Sequence, residues 1–401
     1  MSTIEQFRHD TRAWLEANCP PSMRTAMGEG DVVWGAQQPQ FPSSDAQLWF
    51  ERMRDKGWFC PEWPHAYGGA GLDAEQLAVL EGELRRLKCR PPQINLGVWM
   101  LGPLLLEFGS EEQKRTLLPP MARGEVRWCQ GFSEPNAGSD LASLKMSARD
   151  AGDHFVVDGS KIWTSYGDKS DWMYALVRTD PSAPKHEGIS LIVLDMRSPG
   201  VNPVPIDLIS GKSAFCQVFF DGVKVPKTQL IGPLNGGWNL AKRLLQHERK
   251  AMSKFGEISL PSHVDLLALL RQYLPRPQGQ GEHVLQGRAL ACAMNERAYD
   301  LTVQRMGQAA QAGDDISGLM AIMKLVHTEQ ERDKFEVLLD LMGGHAMGWQ
   351  ADAGNDPQLA ITRGWLNSYA LTISGGASEV QLNVIAKRVL GLPEAKKGVT
   401  P

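Results

Sequence analysis

The spacing of apolar positions changes twice along this chain. Before residue 128 the repeat is helical: Leu77, Leu80, Leu84 and Leu87 form one apolar stripe. The stretch from Gly57 to Pro64, followed by Tyr67-Gly68-Gly69-Ala70-Gly71, interrupts it with prolines and glycines and predicts a structural turn. Between 128 and 232 the runs become β-branched and aromatic. Tyr174 to Arg178, Ile189 to Leu194 and Gln217 to Phe220 predict strands. Asp158-Gly159, flanked by Phe155-Val156-Val157 and Lys161-Ile162-Trp163, predicts a hairpin turn, and Asp221-Gly222 a second. After 232 the helical repeat returns. Phe335, Leu338, Leu339 and Met342 make one stripe that Gly343-Gly344 stops. Leu382, Ile385, Ala386 and Val389 make another, with Ser378 three before Gln381 as a capping box. Pro275 to Glu282 reads as a loop and 393–401 as a frayed tail. The expected class is α+β: a helical domain over 1–127, a β domain over 128–232 and a helical domain over 233–392.

Composition narrows the function classes. With 401 residues, 42% of them hydrophobic and 22% charged, the chain is ordinary globular material for two or three domains. A net charge of −4 lacks the basic footprint of a nucleic-acid binder. The six cysteines are scattered, with neither Cys-x-x-Cys nor His/Cys ligand spacing. A reduced, cytoplasmic protein without a metal site is therefore expected. The N-terminus has no secretory pattern, and no apolar run reaches the length of a membrane span.

The chemistry concentrates in two places. Trp128-Cys129-Gln130-Gly131-Phe132-Ser133-Glu134-Pro135-Asn136-Ala137-Gly138-Ser139-Asp140 runs from apolar residues into a turn rich in hydroxyls and free backbone N–H groups. With Trp163-Thr164-Ser165 beside it, the turn could hold a flat ring with polar edges. Taken one at a time, the same residues read first as a plain turn and a core tryptophan. The second place is Glu248, which falls on the apolar stripe of Ala241, Leu244, Leu245 and Met252. A carboxyl on a buried stripe loses hydration and becomes a better proton acceptor near neutral pH. The spacing also suits an acid at the stripe's edge that reaches water or pairs with a cation. Gly69-x-Gly71 lacks the third glycine and the preceding strand of a dinucleotide fingerprint.

In this order and spacing, the Trp128–Asp140 segment and Lys161-Ile162-Trp163-Thr164-Ser165 resemble the flavin-binding signature of the acyl-CoA dehydrogenase family. The resemblance extends over nearly the whole chain. It implies an N-terminal helical domain, a middle β-barrel-like domain and a C-terminal four-helix bundle that builds a homodimer or homotetramer. It implies FAD, with Gln130, Phe132 and Ser133 along the flavin edge and Gly138 and Ser139 on phosphate or substrate. Trp163 packs on the ring and Ser165 hydrogen-bonds near N5 in that reading. Glu248-Arg249 resembles the Glu-Arg pair of the subset that carries its base on this helix, with Arg249 beside the substrate.

Other members carry the base in a Tyr-Glu-Gly-Thr-type motif. Here that stretch reads Ser374-Gly375-Gly376-Ala377, so Gly375 offers only a backbone N–H to polarise the thioester carbonyl. Gly343-Gly344 resembles part of a Gln-x-x-Gly-Gly-x-Gly loop for the FAD pyrophosphate of a neighbouring subunit. Asp340 replaces the Gln and Ala346 the last Gly; an Arg-x-x-Phe-Gly motif is missing, and Ala377 stands where a Thr often contacts FAD. The reaction implied is dehydrogenation of an acyl-CoA to the trans-2-enoyl-CoA, with electrons passed to an electron-transfer flavoprotein. An acyl-CoA oxidase on the same fold and a non-catalytic partner subunit or assembly protein stay open. Glycines at 375 and 376 imply room for a branched or ring-bearing acyl group.

Overall fold

A computed structural model describes residues 3–25, 27, 29–211, 213–255, 264–312, 314, 316–349 and 357–393. The chain divides into two compact units, Met1–Ile206 with Ser213–Pro261 and Asp207–Lys212 with Ser262–Pro401.

The first unit opens with helices α1 (Thr3–Asn18), α2 (Ser44–Asp55), α3 (Ala74–Arg86), α4 (Gly102–Phe108) and α5 (Glu111–Ala122). Both α3 and α5 start with capping boxes, Asp73 with Gln76 and Ser110 with Gln113. Leu77 and Leu80 of the predicted stripe are buried and Leu84 and Leu87 half-buried. The Tyr67–Gly71 turn is structural as expected. Gly68 has φ +91, and a Cβ on Gly69 would lie 2.1 Å from the Trp63 carbonyl oxygen. A π-helical turn, Gly97–Leu101, leads into α4.

Eight strands follow: β1 (Trp128–Gly131), β2 (Ser147–Asp150), β3 (His154–Ser165), β4 (Trp172–Arg178), β5 (Ile189–Asp195), β6 (Val201–Pro205), β7 (Phe215–Pro226) and β8 (Leu230–Ile231). The sheet order is β6-β7-β3-β2-β4-β5-β8, with β1 added in parallel to β4. All three predicted apolar runs are strands, and β4 and β5 are almost wholly buried, as a two-sided core requires.

The two predicted hairpins do not form. Asp158-Gly159 lies inside β3 and Asp221-Gly222 inside β7, which pair antiparallel along most of their lengths. The register shifts between Val157 and Gly159, where Asp221 and Gly222 oppose Asp158 as a β-bulge. The Gly222 N–H donates to Asp158 Oδ1 at 2.8 Å, so each Asp-Gly step serves the other. A turn-forming dipeptide was absorbed into a long strand because twelve residues of ladder outweigh one local preference.

Helix α6 (Gly237–Phe255) completes this unit. Leu240, Ala241 and Leu244 enter a core shared with Leu101, Leu104, Leu105, Trp128 and Tyr174. Glu107 of α4 receives Arg243 at 2.7 Å and sits 3.1 Å from His247, which fastens α6 at its outer edge. Met252 of the predicted stripe lies outside the residues whose side chains are described.

The second unit holds α7 (Leu266–Tyr273), α8 (Gln280–Gln311), α9 (Ser317–Met342), α10 (Pro357–Leu371) and α11 (Ser378–Val384). Phe335, Leu338 and Met342 are buried as predicted, and Gly343 closes α9 with φ +53. The predicted capping box at Ser378 is absent. Ala377 is the cap residue, Ser378 Oγ bonds Glu329 at 2.7 Å, and Gln381 Nε2 turns back to the Gly375 carbonyl at 3.4 Å. The stripe of Leu382 and Val389 forms but stays exposed.

Candidate active site

Trp163 stands on a second irregularity of β3. Between Lys161 and Thr164 the strand takes one more residue than its partner segment, Val218 to Cys216. The extra residue resets the inside-outside alternation. Lys161 and Thr164 both point into the core, and Trp163 is thrown outward, 53% exposed with φ +59. Positive φ on a bulky residue costs roughly 1–3 kcal/mol and persists only where the surroundings impose it. The indole meets one ring, Phe215, edge-on at 6.1 Å. Ser165 ends the strand, half-buried, opposite Phe215.

The turn that predicts ring contacts lies against this strand. Gln130 and Gly131 are the last residues of β1, Phe132 is buried, and Ser133 accepts the Ile162 N–H on its carbonyl at 2.9 Å. Glu134 and Ala137 exchange both backbone hydrogen bonds at 3.0 Å around Pro135-Asn136. Gly138 and Ser139 follow, exposed.

Beneath the turn is a pair that the residue pattern did not single out. Lys161 is 0% exposed, and its Nζ donates to the Phe132 carbonyl at 3.0 Å and to Glu134 Oε1 at 2.8 Å. Glu134 also accepts the Lys145 N–H at 2.7 Å and the Met146 N–H at 2.9 Å. Burial pulls the Lys161 pKa down to about 8, with the Glu134 carboxylate opposing the fall. The available signal was a charged residue at an inward strand position, hidden by the two bulges that blur the period of two.

Glu248 comes to the same neighbourhood from a distant part of the chain. It is half-buried, and Gln130 Nε2 lies 3.5 Å from its Oε2. Tyr174, 0% exposed, lies close enough to feel it. Burial first, and then the Glu248 charge, hold the phenol well above its usual range. The Tyr174 hydroxyl donates to Met100 Sδ of the π-helical turn at 3.1 Å. Phe132 packs edge-on against Tyr174 with centroids 6.2 Å apart. The acid thus lies beside the last residues of β1, which lead into the Ser133–Asp140 turn. The side chain of Arg249 lies outside the described residues.

Gly343, Gly344 and Gly375 belong to the second unit. Gly343 and Gly375 have positive φ, +53 and +63, and nothing lies within 4 Å of where a Cβ would stand on any of the three. Asp340, one turn before Gly343, is held by Arg288 at 2.6 Å. Among the described residues no cluster of His, Cys, Asp and Glu could hold a metal ion.

Three family models cover the chain in order. The acyl-CoA dehydrogenase N-terminal domain matches residues 2–125, the middle domain 129–223 and the C-terminal domain 235–390. Acyl-CoA dehydrogenase IpdE1 of Mycobacterium tuberculosis is 32% identical over 399 residues, spanning 99% of this chain and 100% of that protein. Acyl-CoA dehydrogenase FadE34 of the same organism is 36% identical over 341 residues, but this chain spans only 45% of its length. Among solved structures, the Tcur3481-Tcur3483 steroid ACAD superposes with a TM-score of 0.73 at 28% identity, over 98% of this chain and 99% of that one. The ChsE4-ChsE5 complex from Mycobacterium tuberculosis gives 0.69 at 26% identity, over 98% and 99%. The chain belongs to the acyl-CoA dehydrogenase family. It is an oxidoreductase of that class, acting on acyl-CoA thioesters.

Proposed function

We propose that this protein is an FAD-dependent dehydrogenase that removes the α-proton of its acyl-CoA substrate with Glu248. One observation carries the reading: Glu248 comes within 3.5 Å of Gln130 at the end of β1, the strand that leads into the turn whose Ser133 carbonyl takes the Ile162 N–H beside Trp163. Residues 118 positions apart thereby meet at the strand that leads into the turn proposed to face the ring.

The residues fit a flavin. An exposed indole on strained backbone offers a face for the ring, and the Phe132–Ser133 backbone and Ser165 offer groups for its polar edge. Gly138 and Ser139 lie open for a phosphate or for the substrate, and Gly343 and Gly344 belong to the phosphate loop. When bound, FAD supplies a two-electron acceptor for the hydride that leaves the β-carbon. The chain's own part is to hold the thioester, take the α-proton on the Glu248 carboxylate and polarise the carbonyl through the Gly375 N–H. Arg249 belongs to the substrate side. Gln130 donates toward Glu248 and keeps the carboxylate aimed.

The three segments 1–127, 128–232 and 233–392 act as helical, β and helical domains in this reading, and the protein works in the cytoplasm. Electrons leave to an electron-transfer flavoprotein. The open space at Gly375, where nothing lies within 4 Å of a Cβ, supports a branched or ring-bearing acyl group, in keeping with the steroid ACAD among the similar structures. The Asp340–Arg288 ion pair engages the residue that replaces the phosphate-loop Gln. Together with the similar ChsE4-ChsE5 complex, this supports a second, different subunit completing part of the FAD site.

The test is a visible spectrum of the purified protein, followed by anaerobic addition of acyl-CoAs. A flavin band that bleaches faster with ring-bearing than with straight medium-chain thioesters is expected. A flavin that no acyl-CoA bleaches overturns the dehydrogenase reading; faster bleaching by straight chains overturns the substrate class. Slow reoxidation by oxygen is expected, and rapid reoxidation would assign the oxidase reaction instead.

A further inference from the structure

The Lys161–Glu134 pair calls for a reason beyond stability. A lysine ammonium without solvent contact is an expensive thing to place in a β core, even with a carboxylate beside it. Apolar side chains of similar volume often serve a core as well or better. What the pair does that apolar groups cannot is fix positions. Lys161 donates to the backbone of Phe132 and to the side chain of Glu134, and Glu134 spends its other acceptor sites on the Lys145 and Met146 N–H groups. The Ile162 N–H to Ser133 carbonyl bond adds a rung beside them. Three chain segments are thereby pinned to one buried point: residues 132–134, 145–146 and 161–162. Two residues beyond Lys161 the strand bulges and throws out Trp163.

Resting on the flavin reading above, we propose that Lys161 and Glu134 are positioning residues for the cofactor. The pair sets the distance and tilt between the turn that faces the ring's edge and the bulge that presents the indole. Neither residue touches the ring in this proposal; both act through Phe132, Ser133 and Trp163.

The experiment compares wild-type protein, as purified with its subunits, with Glu134→Gln, Lys161→Met and the double variant. Each is stripped of flavin, and FAD is titrated back by fluorescence, with visible circular dichroism of the bound flavin and melting of the apo-protein as separate readouts. Lys161→Met is expected to weaken FAD binding about ten-fold or more and to alter the flavin dichroism. The double variant, which buries no lone charge, is expected to regain the apo-protein's melting temperature but not its FAD affinity. Melting and affinity restored together would make the pair merely structural and overturn the proposal, as would unchanged FAD affinity in Glu134→Gln and Lys161→Met. Should Lys161→Met fail to fold, Glu134→Gln and the double variant decide by the same criteria. A wild-type protein that takes up no FAD overturns the flavin reading itself, and this inference with it.

Discussion

At the scale of single residues, the two that matter most are visible for opposite reasons. Trp163 is conspicuous because the backbone holds it where tryptophan does not wish to be, at φ +59 and in solvent. Glu248 is conspicuous because it is half-buried beside Gln130, although a lone glutamate on a helix is normally exposed. Glu248→Gln removes the proton acceptor while keeping the shape that Gln130 meets. Flavin reduction by acyl-CoA is expected to slow by roughly 10²–10⁴-fold, with FAD content unchanged, in stopped-flow measurement. Near-normal reduction in that variant would move the base elsewhere. Trp163→Ala relieves the strained φ only in part and removes the indole face. Weaker FAD binding with little change in apo-protein melting is the expected result, read by titration and by calorimetry.

At the scale of elements, the bulges in β3 and β7 decide which side chains face where. Gly159 makes the first one possible: its φ is +140, and a Cβ there would stand 2.9 Å from Met146 Cα. Gly159→Ala is expected to lower stability by roughly 1–3 kcal/mol, seen in denaturant melts as a shifted midpoint with an unchanged slope. A second prediction concerns the link between α1 and α3. The Arg12 guanidinium holds buried Glu83 bidentately at 2.9 and 3.0 Å, with Arg86 at 2.6 Å. These bonds, Arg12 foremost, bring the Glu83 pKa from its ordinary 4.5 down to about 2. A depressed carboxyl pKa gives stability that is fully present above pH 4.5 and is lost as pH falls from there through about 2. Arg12 is about half exposed, so solvent screening keeps the gain small. Glu83→Gln is expected to flatten the melting-temperature profile across that acid window.

At the scale of the whole molecule, the described residues include apolar side chains that stand exposed near the C-terminus. Leu382 and Val389 of the predicted C-terminal stripe, and Leu390 and Leu392 after it, are each 40% exposed or more. Leu382→Asp combined with Val389→Asp is therefore expected to reduce the assembly size in analytical ultracentrifugation. An unchanged sedimentation coefficient would place the subunit contact elsewhere. Among the described residues, no helix is long and apolar enough to cross a membrane.

Local pattern determined much of this protein. The change of period near 128 and again near 233 is the order of helices, sheet and helices. The turn at Ser133–Asp140, the helix stop at Gly343 and the placement of Glu248 on a buried face are readable because each depends on neighbours within a few residues. Tertiary structure alone decided the rest. It turned two Asp-Gly steps from hairpins into the two sides of one bulge, because a ladder of many hydrogen bonds overrides one turn preference. By inserting a residue it broke the strand's alternation, sent Lys161 inward to Glu134 and Trp163 outward. It also brought Gln130 to Glu248 across 118 positions. Contacts of that range depend on how sheets and helices pack together, and no window of sequence contains both partners.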